Sequence, residues 1–118
     1  MSRDHRKLLV FQESDRLVLD VYRATTTMPE QERFGLQAQI RRAAVSVACN
    51  IVEGAARLTT AEYRRFLSIA YGSAREVEYL LSVSSRLQFV VSAESDPLCK
   101  RYSGVQAALW KIMQAMSV

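Results

Sequence analysis

Ser46, Asn50 and Glu53 stand in the stretch SVACNIVEGAAR, residues 46–57, where polar groups interrupt an otherwise apolar run. With Arg42 before them and Arg57 after, they recur at spacings of 4, 4, 3 and 4, which on a helix is a single stripe. Two carboxylates flanking a bond can divide the work of general acid and general base, and Glu53 and Glu76 are the pair to test. A helical hairpin centred near Leu58 sets Glu76 opposite Ile40, several turns from Glu53 along the axis. They are therefore not neighbours within one chain. Nucleophilic triads would depend on His5, the single histidine, in a charged N-terminal stretch, and a di-iron bundle needs two Glu-x-x-His motifs. Cys49 and Cys99 lie far apart and form no C-x-x-C pair, and Cys49 reads as a small buried hydrophobe. No glycine-rich phosphate loop occurs. No catalytic residue, cofactor or metal is expected.

The elements that position the stripe follow from composition and period. Four Gly and two Pro in 118 residues, nearly half of them apolar, point to one all-α domain with its own core. The apolar period predicts helices over about 8–26, 34–56, 60–90 and 97–116, joined by short connectors as an antiparallel up-down-up-down four-helix bundle. Met28-Pro29 ends the first helix, Thr59-x-x-Glu62 is a capping box for the third, and Asp96-Pro97 reads as N-cap and first residue of the fourth. The second helix is apolar nearly all round, which calls for burial nearly all round. In the hairpin register above, Ala43 and Ala44 meet Gly72 and Ser73, giving Gly72 a packing reason. The surplus apolar surface of helices 2 and 3, with Trp110, Tyr71 and Tyr79 as further interface candidates, predicts a homo-oligomer.

The polar stripe then reads as a hydrogen-bond network of Arg42, Ser46, Asn50, Glu53, Ser73 and Glu76 that fixes register and oligomer number. Arg42 is expected to pair with Glu76 across the hairpin, and Glu53 with an arginine of a neighbouring subunit. No apolar run approaches a membrane span and no signal-peptide core follows Met1 to Lys7, so a cytoplasmic protein is expected. The formal charge is +4, but Arg33 to Arg75 alone holds seven Arg against two acids. Thirteen of the sixteen basic residues are Arg, the type suited to bidentate phosphate or carboxylate contacts. Arg41, Arg57, Arg64, Arg65 and Arg75 are the candidate nucleic-acid contacts. Three of them have a plain alternative: Arg57 as compensation for the dipole at the end of helix 2, Arg64 and Arg65 as a solvated face. No base-stacking motif or recognised RNA-binding module accompanies them.

Gln39-Ile40-Arg41-Arg42-Ala43, then Ser46, Asn50, Glu53-Gly54, Phe66-Leu67, Ala70, Gly72-Ser73 and Glu76 resemble the bacterial four helix bundle protein family. Its founding members are encoded in intervening sequences of 23S rRNA genes, and accessory variability determinants of diversity-generating retroelements are relatives. The likeness runs from about Leu9 to Phe89. Ala48-Cys49, where Pro-Ser or similar often precedes the Asn, and Leu58-Thr59-Thr60 depart from the usual pattern. The resemblance implies a four-helix bundle, a ring-like homopentamer and no enzymatic activity. For the retroelement relatives it further implies a basic surface that engages structured RNA and a reverse transcriptase. Two functions follow: a non-catalytic oligomeric RNA-binding or adaptor protein, or an assembly scaffold that takes no nucleic acid.

Overall fold

Apolar residues recurring every three to four positions wind the chain into four helices in the computed structural model, which describes residues 3–116. They are α1 (Leu9–Ala24), α2 (Leu36–Ala55), α3 (Thr60–Arg86) and α4 (Ser92–Ala115), with short 3-10 turns at His5–Lys7 and Glu30–Glu32. No strand occurs among the described residues. Met1 and Ser2, where the charged N-terminal stretch begins, lie outside them. Each helix packs on its neighbours in chain order and α1 closes on α4, giving an antiparallel up-down-up-down bundle. The core between them is continuous: Leu17 and Val21 of α1, Ile51 of α2, Leu67 and Leu81 of α3, and Tyr102 and Leu109 of α4 are fully buried.

Backbone and long-range caps decide where the helices end. α1 stops at Ala24, and α2 supplies donors for its last carbonyls: Gln37 Nε2 donates to Thr25 O at 2.9 Å and Arg41 Nη2 to Tyr22 O at 3.0 Å. The Thr59 hydroxyl accepts from the Glu62 N–H at 3.2 Å and so opens α3 as its sequence predicts. α3 ends four residues short of Val90, in a reversal where Gln88 takes φ 64°. There the Phe89 N–H donates to Ser84 O at 2.8 Å and the Gln88 N–H to Ser85 O at 2.9 Å.

The start of α4 corrects the sequence reading. Val91, not Asp96, is the N-cap: its carbonyl accepts from the N–H groups of Glu94 and Ser95, and Pro97 lies inside the helix. The reversal seats Val90 in the core, so the chain is already aligned with the bundle before Asp96 is reached. A proline this near the helix start takes away only the donor for the Ala93 carbonyl, and Ala93 is solvent-exposed.

The α2–α3 seam is the longest, and its register also differs from the expected one. Ser46 Oγ and Ser73 Oγ are 2.9 Å apart, which advances α3 by about three residues. Close approach occurs at Gly54, where a Cβ would stand 3.0 Å from Phe66 Cβ and 3.2 Å from Tyr63 Cδ1. Gly72 is exposed with nothing within 4 Å of the same position, so it has no packing reason. The cause is the turn: Thr59 is extended, and the first turn of α3 runs past the end of α2. Arg3 covers that overhang, its guanidinium 4.0 Å from the Tyr63 ring centre and its N–H donating to Ala55 O at 2.7 Å. Cys49, read as buried, is likewise exposed, because it faces away from the seam that Asn50 and Ile51 border.

α4 is fixed to α1 by one side chain. Arg101 donates from Nε and Nη2 to the two Glu13 oxygens at 3.1 and 2.9 Å, and from Nη1 to Asp20 Oδ2 at 2.8 Å. The bond from Arg101 holds the Glu13 carboxyl below its usual range.

Two expectations follow. Gly72→Ala should stabilise the protein by about 1 kcal/mol through helix propensity alone, whereas Gly54→Ala should destabilise it, since Phe66 Cβ moves only with its backbone. Urea titrations with unchanged m-values would check both. Arg101→Met should cost about 1 kcal/mol at neutral pH, the groups being one-third exposed and screened. A carboxyl lowered in the folded chain adds stability above its ordinary value of 4.5 that is lost as pH falls through the lowered value. Arg101→Met should therefore flatten the acid limb of thermal unfolding curves.

Candidate functional site

The new register joins one part of the polar stripe and separates another. Asn50 Nδ2 donates to Ser46 O at 2.8 Å and to Ser46 Oγ at 3.1 Å, and Ser46 meets Ser73 across the seam. These three half-buried residues form one connected set that links α2 to α3. Arg42 and Glu76 are both exposed and no ion pair joins them, contrary to the sequence expectation; in full solvent such a pair gains little. Glu53 pairs within its own chain, with Arg57 Nη2 at 3.3 Å. Glu76 comes opposite Ala43 rather than Ile40, still about 15 Å from Glu53 along the axis. Among the described residues, no group of three or more His, Cys, Asp and Glu side chains could hold a metal ion.

The five candidate arginines divide by what already holds them. Arg41 is committed to the end of α1: besides the bond to Tyr22 O, its Nε donates to Thr25 Oγ1 at 3.0 Å, and its guanidinium lies 4.5 Å from the Tyr22 ring centre. Arg64 Nε donates to Met113 O at 3.3 Å near the end of α4, and its two terminal nitrogens make no hydrogen bond among the described residues. Arg57 Nε donates back to Glu53 O at 3.2 Å, the helix-end compensation expected of it. Arg57 and Arg65 both lie over Phe66, at 5.4 and 4.7 Å from its ring centre. Arg75 is exposed and makes no hydrogen bond or ion pair among the described residues. Three of the five thus act on helix ends.

Two grooves open on opposite faces of the bundle. One, about 410 Å³ between α1 and α2, is walled by Phe11, Val18, Val45, Ala48 and Val52 and edged by Asp15 and Glu53. The other, about 750 Å³ between α3 and α4, is walled by Tyr71, Ala107, Ala108 and Trp110, with Ser103, Gln106 and Lys111 beside them. Sequence reasoning named Tyr71 and Trp110 singly but not this groove. Its signal was that both residues fall on the outer stripes of their helices. No helix of the described residues is long and apolar enough to cross a membrane.

The family described as 23S rRNA-intervening sequence protein matches residues 6–111. No curated protein matches the chain. Among solved structures, a protein of unknown function from the S23 ribosomal protein family of Bacteroides thetaiotaomicron superposes with a TM-score of 0.80. The two are 23% identical, over 89% of this chain and 98% of that one, which speaks for the fold.

The division among arginines is measurable. Arg41→Ala should cost about 1–2 kcal/mol, because it removes the bonds to the Tyr22 carbonyl and the Thr25 hydroxyl at the end of α1, while Arg75→Ala should stay within about 0.5 kcal/mol of wild type. Thermal denaturation of the two variants side by side checks the order.

Proposed function

The chain belongs to the 23S rRNA-intervening sequence protein family, and from that premise we propose that it is a non-catalytic, homo-oligomeric RNA-binding or adaptor protein. The observation that carries the reading is the set of cations left free by the fold. Arg42, Arg75, Lys100 and Lys111 are exposed without a carboxylate partner among the described residues, while the acids Glu13 and Asp20 are taken up by Arg101. Free guanidinium and ammonium groups on a rigid helical surface favour phosphate contacts. Structured RNA is the proposed ligand, with a reverse transcriptase as the protein partner in a retroelement setting. An RNA partner implies a cytoplasmic site of action.

The oligomer, a pentamer by family resemblance, is supported by the apolar α1–α2 groove and by Leu19 and Tyr22, exposed on α1. A second reading, an assembly scaffold without nucleic acid, is favoured by the outer α2–α3 face. Arg42, Glu53, Arg57, Arg65 and Glu76 mix both signs there, as suits a protein partner better than a phosphate chain.

Salt-titrated binding to an RNA hairpin separates the two. Affinity should fall steeply with salt, and Arg75→Ala should reduce the logarithmic slope by about 1. Binding that is undetectable at low salt, or indifferent to salt, leaves the scaffold reading. A monomer by light scattering at micromolar concentration would sink the oligomer on which both readings draw.

A further inference from the structure

The two grooves differ in the charge along their edges. Asp15 and Glu53 border the α1–α2 groove, whereas the α3–α4 groove has Lys111 in its wall. Arg64, Ser68, Tyr71 and Arg75 recur on α3 at spacings of 4, 3 and 4, and Lys100, Ser103, Ala107 and Lys111 on α4 at 3, 4 and 4. Each set is one exposed or half-exposed stripe beside the seam. Cations therefore stand on both sides of the aromatic pair, Lys100 and Lys111 being about 16 Å apart along α4. Acids on this face are few. Glu78 is half-buried and accepts from Gln106 Nε2 at 2.6 Å, and Asp96 lies beyond Lys100, toward the start of α4.

Trp110 is 54% exposed although it lies in the wall of this groove. Tyr71 stands behind it, ring centres 6.0 Å apart and planes inclined at 48°, so the indole is held in place and still presents open surface. Ser103 and Ala107 are small, which leaves room beside the indole for a planar group. An aromatic face flanked by cations is the combination that binds single-stranded nucleic acid: bases stack and phosphates pair. A duplex keeps its bases stacked on one another and offers none to the indole.

We propose that the α3–α4 groove holds an unpaired segment of RNA, one base stacked on Trp110 and the adjoining phosphates met by Arg75, Lys100 and Lys111. The proposal rests on the RNA reading above and assigns it a face, a different one from the α2 arginines that the sequence points to.

Trp110 is the single tryptophan, so its fluorescence reports this groove alone. Short oligo(A) RNA added to the full chain at low salt should quench that emission saturably, with quenching reversed by added salt. Trp110→Ala should weaken oligo(A) binding about tenfold in an anisotropy titration with labelled RNA, and Trp110→Phe should restore most of it. Both variants should keep wild-type helical circular dichroism, the site being on the surface. If oligo(A) binds without quenching and Trp110→Ala binds as wild type does, the groove assignment is overturned while the RNA reading stands. If wild type binds neither oligo(A) nor an RNA hairpin at low salt, both fall. An emission maximum typical of a buried indole, shifting red as the protein is diluted to monomer, would assign the groove to a second copy and overturn the proposal.

Discussion

The approach of α2 and α3 at Gly54 governs much of the rest. With no side chain at that position, Phe66 Cβ and the Tyr63 ring lie against the α2 backbone, and no larger residue fits without parting the helices. That contact accepts the slide of α3 along α2 that the extended Thr59 turn delivers. The slide carries Ser73 to Ser46, lets Asn50 tie into the pair, and leaves the first turn of α3 beyond the end of its partner for Arg3 to cover. Moving the contact by one helical turn would break every cross-seam bond in this set.

The class and the number of helices were legible because they depend on apolar period, which a bundle must honour to bury its core. Gly54 and Gly72 show where that logic stops. Both are helical glycines among small residues, and only the three-dimensional slide, set by an extended Thr59, says which meets a neighbour. The start of α4 was misread for a related reason. Asp96-Pro97 is a strong local signal, and it lost to Val90, whose burial is a property of the whole core. At the candidate site, the joining of Ser46 with Asn50 was foreseeable as a stripe, whereas the register that brings Ser73 to them was not. The work of Arg41 and Arg64 on helix ends some 19 and 49 residues away in the chain was not.

That division matters for function. An arginine count measures charge, but a guanidinium already satisfied by two carbonyl-end acceptors has little to offer a phosphate. The fold withdraws Arg41 and Arg57 from the basic stretch and leaves Arg42 open on α2 and a larger set of cations open on α3 and α4, where Tyr71 and Trp110 also lie. The apolar α1–α2 groove and the polar α2–α3 face remain for protein contact. One small bundle thus keeps surfaces of different chemistry on different sides, with a rigid core between them.

The Arg101 link also bears on how the bundle assembles in time. It joins residues 81 and 88 positions apart, whereas α2 and α3 are consecutive and joined by a four-residue turn. Loop-closure entropy favours the local hairpin first and the distant closure of α4 on α1 late. An interaction made after the rate-limiting barrier acts mainly on unfolding. Arg101 is in that sense a latch, setting how long the bundle stays shut once formed and hardly how fast it forms.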